Sequence, residues 1–411
     1  MDVKVLCWFK ENLMTRRGWG IVLTAFVPIA LVIGRSPADI AVSIVAILFF
    51  VDSILRHQWG WTKKPWVIAA LLLWGYSVVR AAFIPDGGVS LFTAFVWLRY
   101  IVFAASMAEW ALAEEKSRLW LLYASLYSVL FLSVDGIFQY VFRQDILGNK
   151  LFNDVRLTSV YQRPILGVTI ANLFAPAVFW LLKQEKIYKS VLLANVCFAA
   201  IFLSGDRMGF IFAACILLPW LFFLLCKSTQ RTWIIIANVC FFALLLAFSP
   251  SLTKRQIHST MATAGEITTS PYGLVWKSAL KVGAENPLFG VGIRQFRYVC
   301  PNERFGPLKY KGDERCYSHP HNPYMEWFSE GGLVGLFGFI GFALTVGLGL
   351  WRRLEVRDAD LVLWGLSAML IMRLMPFVIS TSFFNNWSAI PFWLALGWAM
   401  SYKPALKTSS S

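Results

Sequence analysis

Little in this sequence suits soluble, nucleotide-driven chemistry. Charged residues fill only 15% of its 411 positions, with 23 Asp and Glu against 38 Lys and Arg, and histidine occurs four times. No phosphate-cradling glycine loop can be read, because Gly290-x-Gly292 is too short for a nucleotide fingerprint. No Ser-His-Asp constellation stands out, and no carboxylate pair of glycosidase type does. The run from Cys316 to His319 is only a fragment of a zinc motif, so neither a metal nor a cofactor is expected. Internal repeats and low-complexity linkers are missing, and the first apolar run carries no small-residue cleavage pattern of a signal peptide. A soluble nucleotide donor is therefore disfavoured.

What the chain has in abundance is hydrocarbon: 58% of its residues are hydrophobic and 19 are Trp. Apolar runs of the length that crosses a bilayer recur, as from Trp19 to Ile33, from Ala38 to Leu55 and around Leu192 to Leu203. They predict an all-α, polytopic integral membrane protein of about twelve spans, a single integral domain over residues 1–411. The net charge of +15 could suggest nucleic acid, yet about half the excess is explained by topology. Lys4, Lys10, Arg16 and Arg17 precede the first span. Every second short loop is basic: Arg56, Lys63 and Lys64; Lys116 and Arg118; Lys183, Lys186 and Lys189; Lys227 and Arg231; Arg352, Arg353 and Arg357; then Lys403 and Lys407. The intervening loops, such as Pro85 to Ser90 and Ser382 to Trp387, are poor in Lys and Arg. Both termini are thus expected in the cytoplasm, and the long loop of residues 249–330, between spans nine and ten, outside. No nucleic-acid partner is expected.

That loop is the informative part. Ser270-Pro271 before Leu274, Trp276, Ala279 and Leu280 predicts a capped short helix ending near Gly283. Arg294 to Arg315 reads as basic and irregular. Asn322-Pro323 predicts a second short helix, Tyr324 to Glu330, stopped by Gly331-Gly332 before the next span. Cys300 and Cys316 stand alone in the loop; a disulfide is chemically permitted if the loop is outside, although spacing does not establish it. Cys7, Cys197, Cys215, Cys226 and Cys240 are read as small packing hydrophobes.

His321 precedes the capping Asn322 at the positive end of a helix, which lowers the pKa of an imidazole and attracts anions. Neutral, it can take a proton from a hydroxyl; alternatively it only shapes the turn. His319 is the rival, held in fixed relation by Pro320. Arg207 offers a planar donor to pyrophosphate, or else pairs with Asp206 or reaches the membrane interface. Arg80, Arg99, Arg373 and Asp135 lie within or at the ends of spans, and an Asp135–arginine pair is one outcome. Arg156 and Arg163 flank an outer polar loop, as interface anchors or as site residues. Lys254, Arg255, Lys277, Arg294, Arg297, Arg304, Lys309, Lys311 and Arg315 form a positive field able to steer an anionic lipid.

Several stretches carry a family likeness. Asp135-Gly136-Ile137-Phe138-Gln139-Tyr140 leads through Arg156-Leu157-Thr158 to Pro164-Ile165-Leu166-Gly167; Ser204 to Gly209 ends in Arg-x-Gly; Trp276 leads to Asn286-Pro287-Leu288-Phe289-Gly290-Val291-Gly292; and His321-Asn322-Pro323-Tyr324-Met325-Glu326 is followed by Glu330, Gly332 and Gly335. Together with Pro376 to Trp387, they resemble the O-antigen ligase family of bacterial envelope glycosyltransferases, which shares its fold with the O-antigen polymerases. The resemblance implies a GT-C-like membrane fold in the bacterial inner membrane with a periplasmic active site. It implies a metal-independent, inverting transfer of a glycan from undecaprenyl pyrophosphate to a sugar hydroxyl of lipid A–core, among membrane lipids, by a chain that can act as a monomer. His321 takes the essential histidine role and Arg207 a donor-phosphate role, with Arg156, Arg163, Arg294, His319, Asn322 and Tyr324 as further substrate contacts. The family's second functional arginine, early in the large loop, has no counterpart in Ser270-Pro271-Tyr272-Gly273; Arg294, Arg255 and Lys277, in that order, are the substitutes. Asp206 stands where the family's turn often has Ser, which could tether Arg207 or weaken its hold on phosphate. A polysaccharide polymerase or a glycan ligase acting on protein fits the same motifs. A lipid-linked-glycan transporter fits the membrane arginines, although alternating access usually calls for repeats.

Overall fold

The structure, a computed structural model, describes residues 15–85, 87–227, 231–306, 309–310, 313–355 and 359–404. Lys4, Lys10, Arg357 and Lys407 of the topological reading, Cys7 of the expected packing cysteines and Lys311 of the positive field lie outside the described residues, as do the side chains of Lys227 and Lys309.

The chain is a bundle of apolar helices with a small lobe at one end. The helices are α1 (Arg16–Ile33), α2 (Arg35–Leu55), α3 (Pro65–Ala82), α4 (Gly88–Ser106), α5 (Glu115–Phe142), α6 (Leu166–Ala171), α7 (Phe174–Lys183), α8 (Ile187–Leu203), α9 (Arg207–Lys227), α10 (Arg231–Phe248), α11 (Pro271–Glu285), α12 (Pro323–Leu354), α13 (Leu361–Leu374) and α14 (Asn386–Met400). Among the described residues eight are long and apolar enough to cross a membrane: α1 to α5, α9, α10 and α12. Three shorter apolar helices (α7, α8 and α13) and α14 bring the number to the twelve expected. The sixth segment is broken between α6 and α7, and Pro176 falls in the first turn of α7, where its missing N–H breaks no helical bond.

Large rings fill the middle. Trp97 of α4 meets Trp327 of α12, Phe383, Phe384 and Trp393 of α14, with ring centroids 5.6–6.2 Å apart. Such tilted and edge-on pairs contribute about 0.5–1.5 kcal/mol each beyond burial. They fix the beginning of α12 against the segment that leads into α14. Of the cysteines expected to pack as hydrophobes, Cys197 is buried, whereas Cys226 and Cys240 point out of the bundle. On a spanning helix that direction is hydrocarbon, which suits an apolar thiol equally well.

The lobe after α10 begins with the short helix Pro250–Thr253, a π-helical turn Lys254–His258 and the helix Ser259–Gly265. It continues with α11, whose cap is the expected one: the Ser270 hydroxyl accepts from the Gly273 N–H at 3.1 Å. Val275, Ala279 and Val282 of α11 bury against Phe296, Cys300 and Phe305, and a disulfide joins Cys300 to Cys316. A two-residue ladder pairs β1 (Lys309–Tyr310) with β2 (Asp313–Glu314), antiparallel.

The lobe is stitched into α12 where that helix breaks. Gly332 is left-handed at φ 63° and ψ −162°, and a β-carbon there would come 2.4 Å from the Leu288 backbone. The segment 287–292 fills the gap. Leu333 and Val334 N–H donate to the Pro287 and Leu288 carbonyls at 2.7 and 3.2 Å, and Val291 and Gly292 N–H donate to those of Ser329 and Glu330 at 3.0 and 2.8 Å. Arg80 of α3 supports the same segment, donating to the Phe289 and Gly290 carbonyls at 3.1 and 2.9 Å. That accounts for one of the costly intramembrane arginines. Arg99 is matched by Asp39 at 2.8 Å, and Arg373 by the Ser388 hydroxyl.

Candidate active site

The site begins at the first turn of α12. The Asn322 side chain caps it, accepting from Tyr324 and Met325 N–H at 2.9 and 3.0 Å. Its amide then donates to the Pro376 and Val378 carbonyls at 2.6 and 3.2 Å, and Ser380 N–H donates to the His321 carbonyl at 2.8 Å. The Tyr324 hydroxyl donates to the Leu374 carbonyl. One turn on, the buried Glu326 accepts from the Ser382 hydroxyl and from Phe383 N–H, the latter at 2.8 Å. The segment between α13 and α14 is thus clamped to the histidine turn. Asn322 and Tyr324 face this clamp, so their side-chain hydrogen bonds are with backbone.

Held this way, His321 takes φ 56°, a left-handed conformation that costs a non-glycine residue roughly 1–2 kcal/mol. Its ring lies 4.2 Å from that of His319, 5.3 Å from Tyr317 and 5.7 Å from Tyr272, centroid to centroid. His319 is buried; its Nδ1 is 2.9 Å from the Ser318 hydroxyl and its Nε2 has no partner. Burial drives both imidazoles toward the neutral form, opposed by the Ser380 backbone. His319 is pushed down to about 3, with the charges of His321 and Arg297 adding to the effect of burial. His321 falls below its ordinary 6.5. Two neutral rings therefore sit side by side at physiological pH.

Tyr272, at the start of α11, connects His321 to a group of arginines. Burial lowers the pKa of Arg156 first, Asp206 opposes, Arg255 reinforces, Tyr272 opposes and Arg207 reinforces. These side chains therefore share one electrostatic environment. The Arg156 guanidinium donates to the Pro164 carbonyl at 3.2 Å, and its buried Nε has no hydrogen-bond partner. Arg207, first residue of α9, donates to the Thr263 hydroxyl at 3.1 Å and is 3.4 Å from the Ser259 carbonyl. Arg255 donates to the Gly205 carbonyl at 2.9 Å.

Local sequence explains this placement. Asp135 and Gln139, one turn apart on α5, hold the loop that carries Arg156. Asp135 accepts from the Ser159 hydroxyl and from Ile146 N–H at 2.9 Å, and the Gln139 carbonyl oxygen accepts from Thr158 and Ser159 N–H at 2.8 and 2.9 Å. The considered pairing of Asp135 with an arginine is replaced by these neutral donors. Asp206 likewise does not tether Arg207. It caps α9, accepting from Gly209 N–H at 3.2 Å and from Val168 N–H at 2.9 Å. Gly209 is needed because a β-carbon there would meet the Gly167 backbone at 2.6 Å.

The remaining expectations are dispersed. Arg163 is exposed on the loop after Arg156, and Lys277 is exposed on α11. Arg294, first among the expected substitutes for the missing loop arginine, is elsewhere: its backbone N–H donates to Glu330 at 2.7 Å, and its side chain lines a groove with Asp39 and Arg99. The place beside Arg207 belongs to Arg255, ranked second. Tyr272, Tyr317, Arg297 and Thr263 were not singled out as site residues. The one local hint for Tyr272 is its position directly after a Ser-Pro helix start.

Residues 192–340 match the family model described as O-antigen ligase. This stretch belongs to the O-antigen ligase family. It encloses Arg207, Arg255, Tyr272, Arg294, His319 and His321, while Arg156 and the clamp segment 375–385 lie outside it. The match supports ligase- or polymerase-type, glycosyltransferase-like activity in a membrane protein. A search of curated proteins finds no match to the chain.

Proposed function

We propose that the chain transfers a glycan from undecaprenyl pyrophosphate to a sugar hydroxyl of lipid A–core at the periplasmic face of the bacterial inner membrane. The observation that carries this reading is the junction at Tyr272, whose ring packs edge-on against His321 and which lies within electrostatic reach of Arg156, as Arg207 and Arg255 do. A neutral base and three guanidiniums at one helix mouth suit an acceptor hydroxyl and an anionic leaving group. His321 takes the proton as the hydroxyl oxygen bonds to the anomeric carbon. The bond from that carbon to the pyrophosphate oxygen breaks, and the arginines stabilise the charge left on pyrophosphate. A single displacement of this kind inverts the anomeric configuration and requires no metal. The Cys300–Cys316 disulfide supports an oxidising compartment for the lobe, and the basic loops support cytoplasmic termini.

The test is a transfer assay with purified protein, lipid-linked donor and lipid A–core. His321→Ala is expected to lower transfer by at least about a hundredfold, as loss of a general base does, with an unchanged melting profile in detergent. Normal transfer by that variant sinks the assignment. Elongation of one donor glycan by another, with lipid A–core left untouched, would identify a polymerase instead.

A further inference from the structure

A second group of cations, Arg297 and Arg294, lies near His319. Arg297 acts electrostatically on His319 and on Arg294, and Arg294 lies at a groove of about 640 Å³ between α2 and α4. Ile47 and Phe50 of α2 and Phe92 and Phe95 of α4 form exposed apolar walls. The inner end is Phe384 and Asn386, adjoining the segment that Glu326 holds against the histidine turn. The groove therefore runs from the hydrocarbon side of the bundle to the segment clamped against the histidine turn.

Its two arginines differ. Arg99 is matched by Asp39 at 2.8 Å and also donates to the Tyr100 hydroxyl at 3.0 Å. Arg294 is left-handed at φ 62°, fixed by its own N–H on Glu330, and among the described residues no hydrogen bond or salt bridge engages its guanidinium. Glu330 and Glu326 lie within its electrostatic reach, but their oxygens already accept from Arg294 and Phe296 N–H and from Ser382 and Phe383. Burial and the neighbouring Arg297 make the unmatched charge costly, so the position favours an incoming anion. An anion that also fills an apolar trough is a lipid.

We propose that this groove seats the acceptor lipid, with its acyl chains between α2 and α4 and a headgroup phosphate on Arg294. The assignment rests on the function proposed above, which requires two anionic lipids to meet at one base. Arg156, Arg207 and Arg255 attend the donor on the Tyr272 side. The acceptor then approaches from the Arg297 side, its core sugars extending past Phe384 toward His321. Arg294 is thereby a specificity residue for the acceptor.

Native mass spectrometry of the purified full chain, in nanodiscs of zwitterionic lipid titrated with lipid A–core, reads this site without turnover. Arg294→Gln should reduce retention of lipid A–core about tenfold, the loss of one charge-assisted contact, and Arg294→Lys should restore part of it. Ile47→Trp, on the exposed wall, should reduce retention severalfold with no charge altered. Arg207→Ala should retain the lipid fully. Undiminished retention by both Arg294→Gln and Ile47→Trp overturns the proposal, as does displacement of lipid A–core by an equal amount of phosphatidylglycerol. Arg294-dependent retention by a protein that transfers no glycan upholds the groove and overturns the function.

Discussion

Where α1 begins and α2 ends, cations sit on carboxylates. Arg16 and Arg56 reach Asp52 at 3.4 and 3.1 Å, Arg17 reaches Glu114 at 2.9 Å, Lys64 reaches Glu109 at 3.0 Å and Lys183 reaches Asp360 at 2.8 Å. At the opposite end, Arg156, Arg207 and Arg255 reach carbonyl and hydroxyl oxygens. The carboxylates there, Asp206, Glu326 and Glu330, accept from backbone N–H groups and a serine. The first end neutralises its charge, whereas the arginine cluster at the other keeps it; the ion pairs there, Arg99–Asp39 and Arg304–Glu285, do not involve the cluster. A positive potential left standing at a helix mouth gathers anionic ligands, whereas paired charge only anchors the bundle.

The sharpest way to break this contrast is to give the unpaired end a carboxylate. Thr263→Asp, beside Arg207, should cut transfer about a hundredfold through lost electrostatic stabilisation and leave thermal stability in detergent unchanged; full activity would mean that Arg207 is not needed as a free cation. Glu326→Ala removes the acceptor for the clamp segment. It should destabilise the protein by about 2 kcal/mol and lower transfer roughly in proportion to the clamp population, measurable as protease sensitivity of residues 375–385. The pH profile of kcat/KM probes the base. His321 acts when neutral, that is, above its pKa, and burial holds that pKa below 6.5. As the pH falls from 8, the profile should keep more than half its maximum at 6.5 and reach half only at more acidic pH; a half-maximum at or above 6.5 would contradict the role. The smallest effect belongs to the paired end, where Arg16→Gln should change stability by less than about 1 kcal/mol and transfer not at all.

Features governed by neighbouring residues were legible in the sequence. Ser270-Pro271 and Asn322-Pro323 are helix starts by capping chemistry alone, and both helices begin there. The spans follow from apolar length, with the sixth disguised by its break at Asn172 and Leu173. What sequence could not supply is pairing at a distance. Arg255 reaches Gly205 across fifty positions, and nothing near either residue announces it. Asp135 illustrates the converse: an intramembrane acid suggests an arginine, yet a serine hydroxyl and a backbone N–H complete its shell. Arg294 had the right charge for the donor station, but its turn is tied to Glu330 and directs it to another groove.

The break in α12 constrains how substrates come and go. Four main-chain hydrogen bonds fasten residues 287–292 into it, so the lobe and the turn bearing His321 travel as one piece. Such a lobe does not lift like a lid. On the proposed function, tailed substrates would slide in along the bilayer plane, between helices, and products would leave by the same sideways exits. Any side chain at position 332 would unfasten the roof and misplace the base in a single stroke.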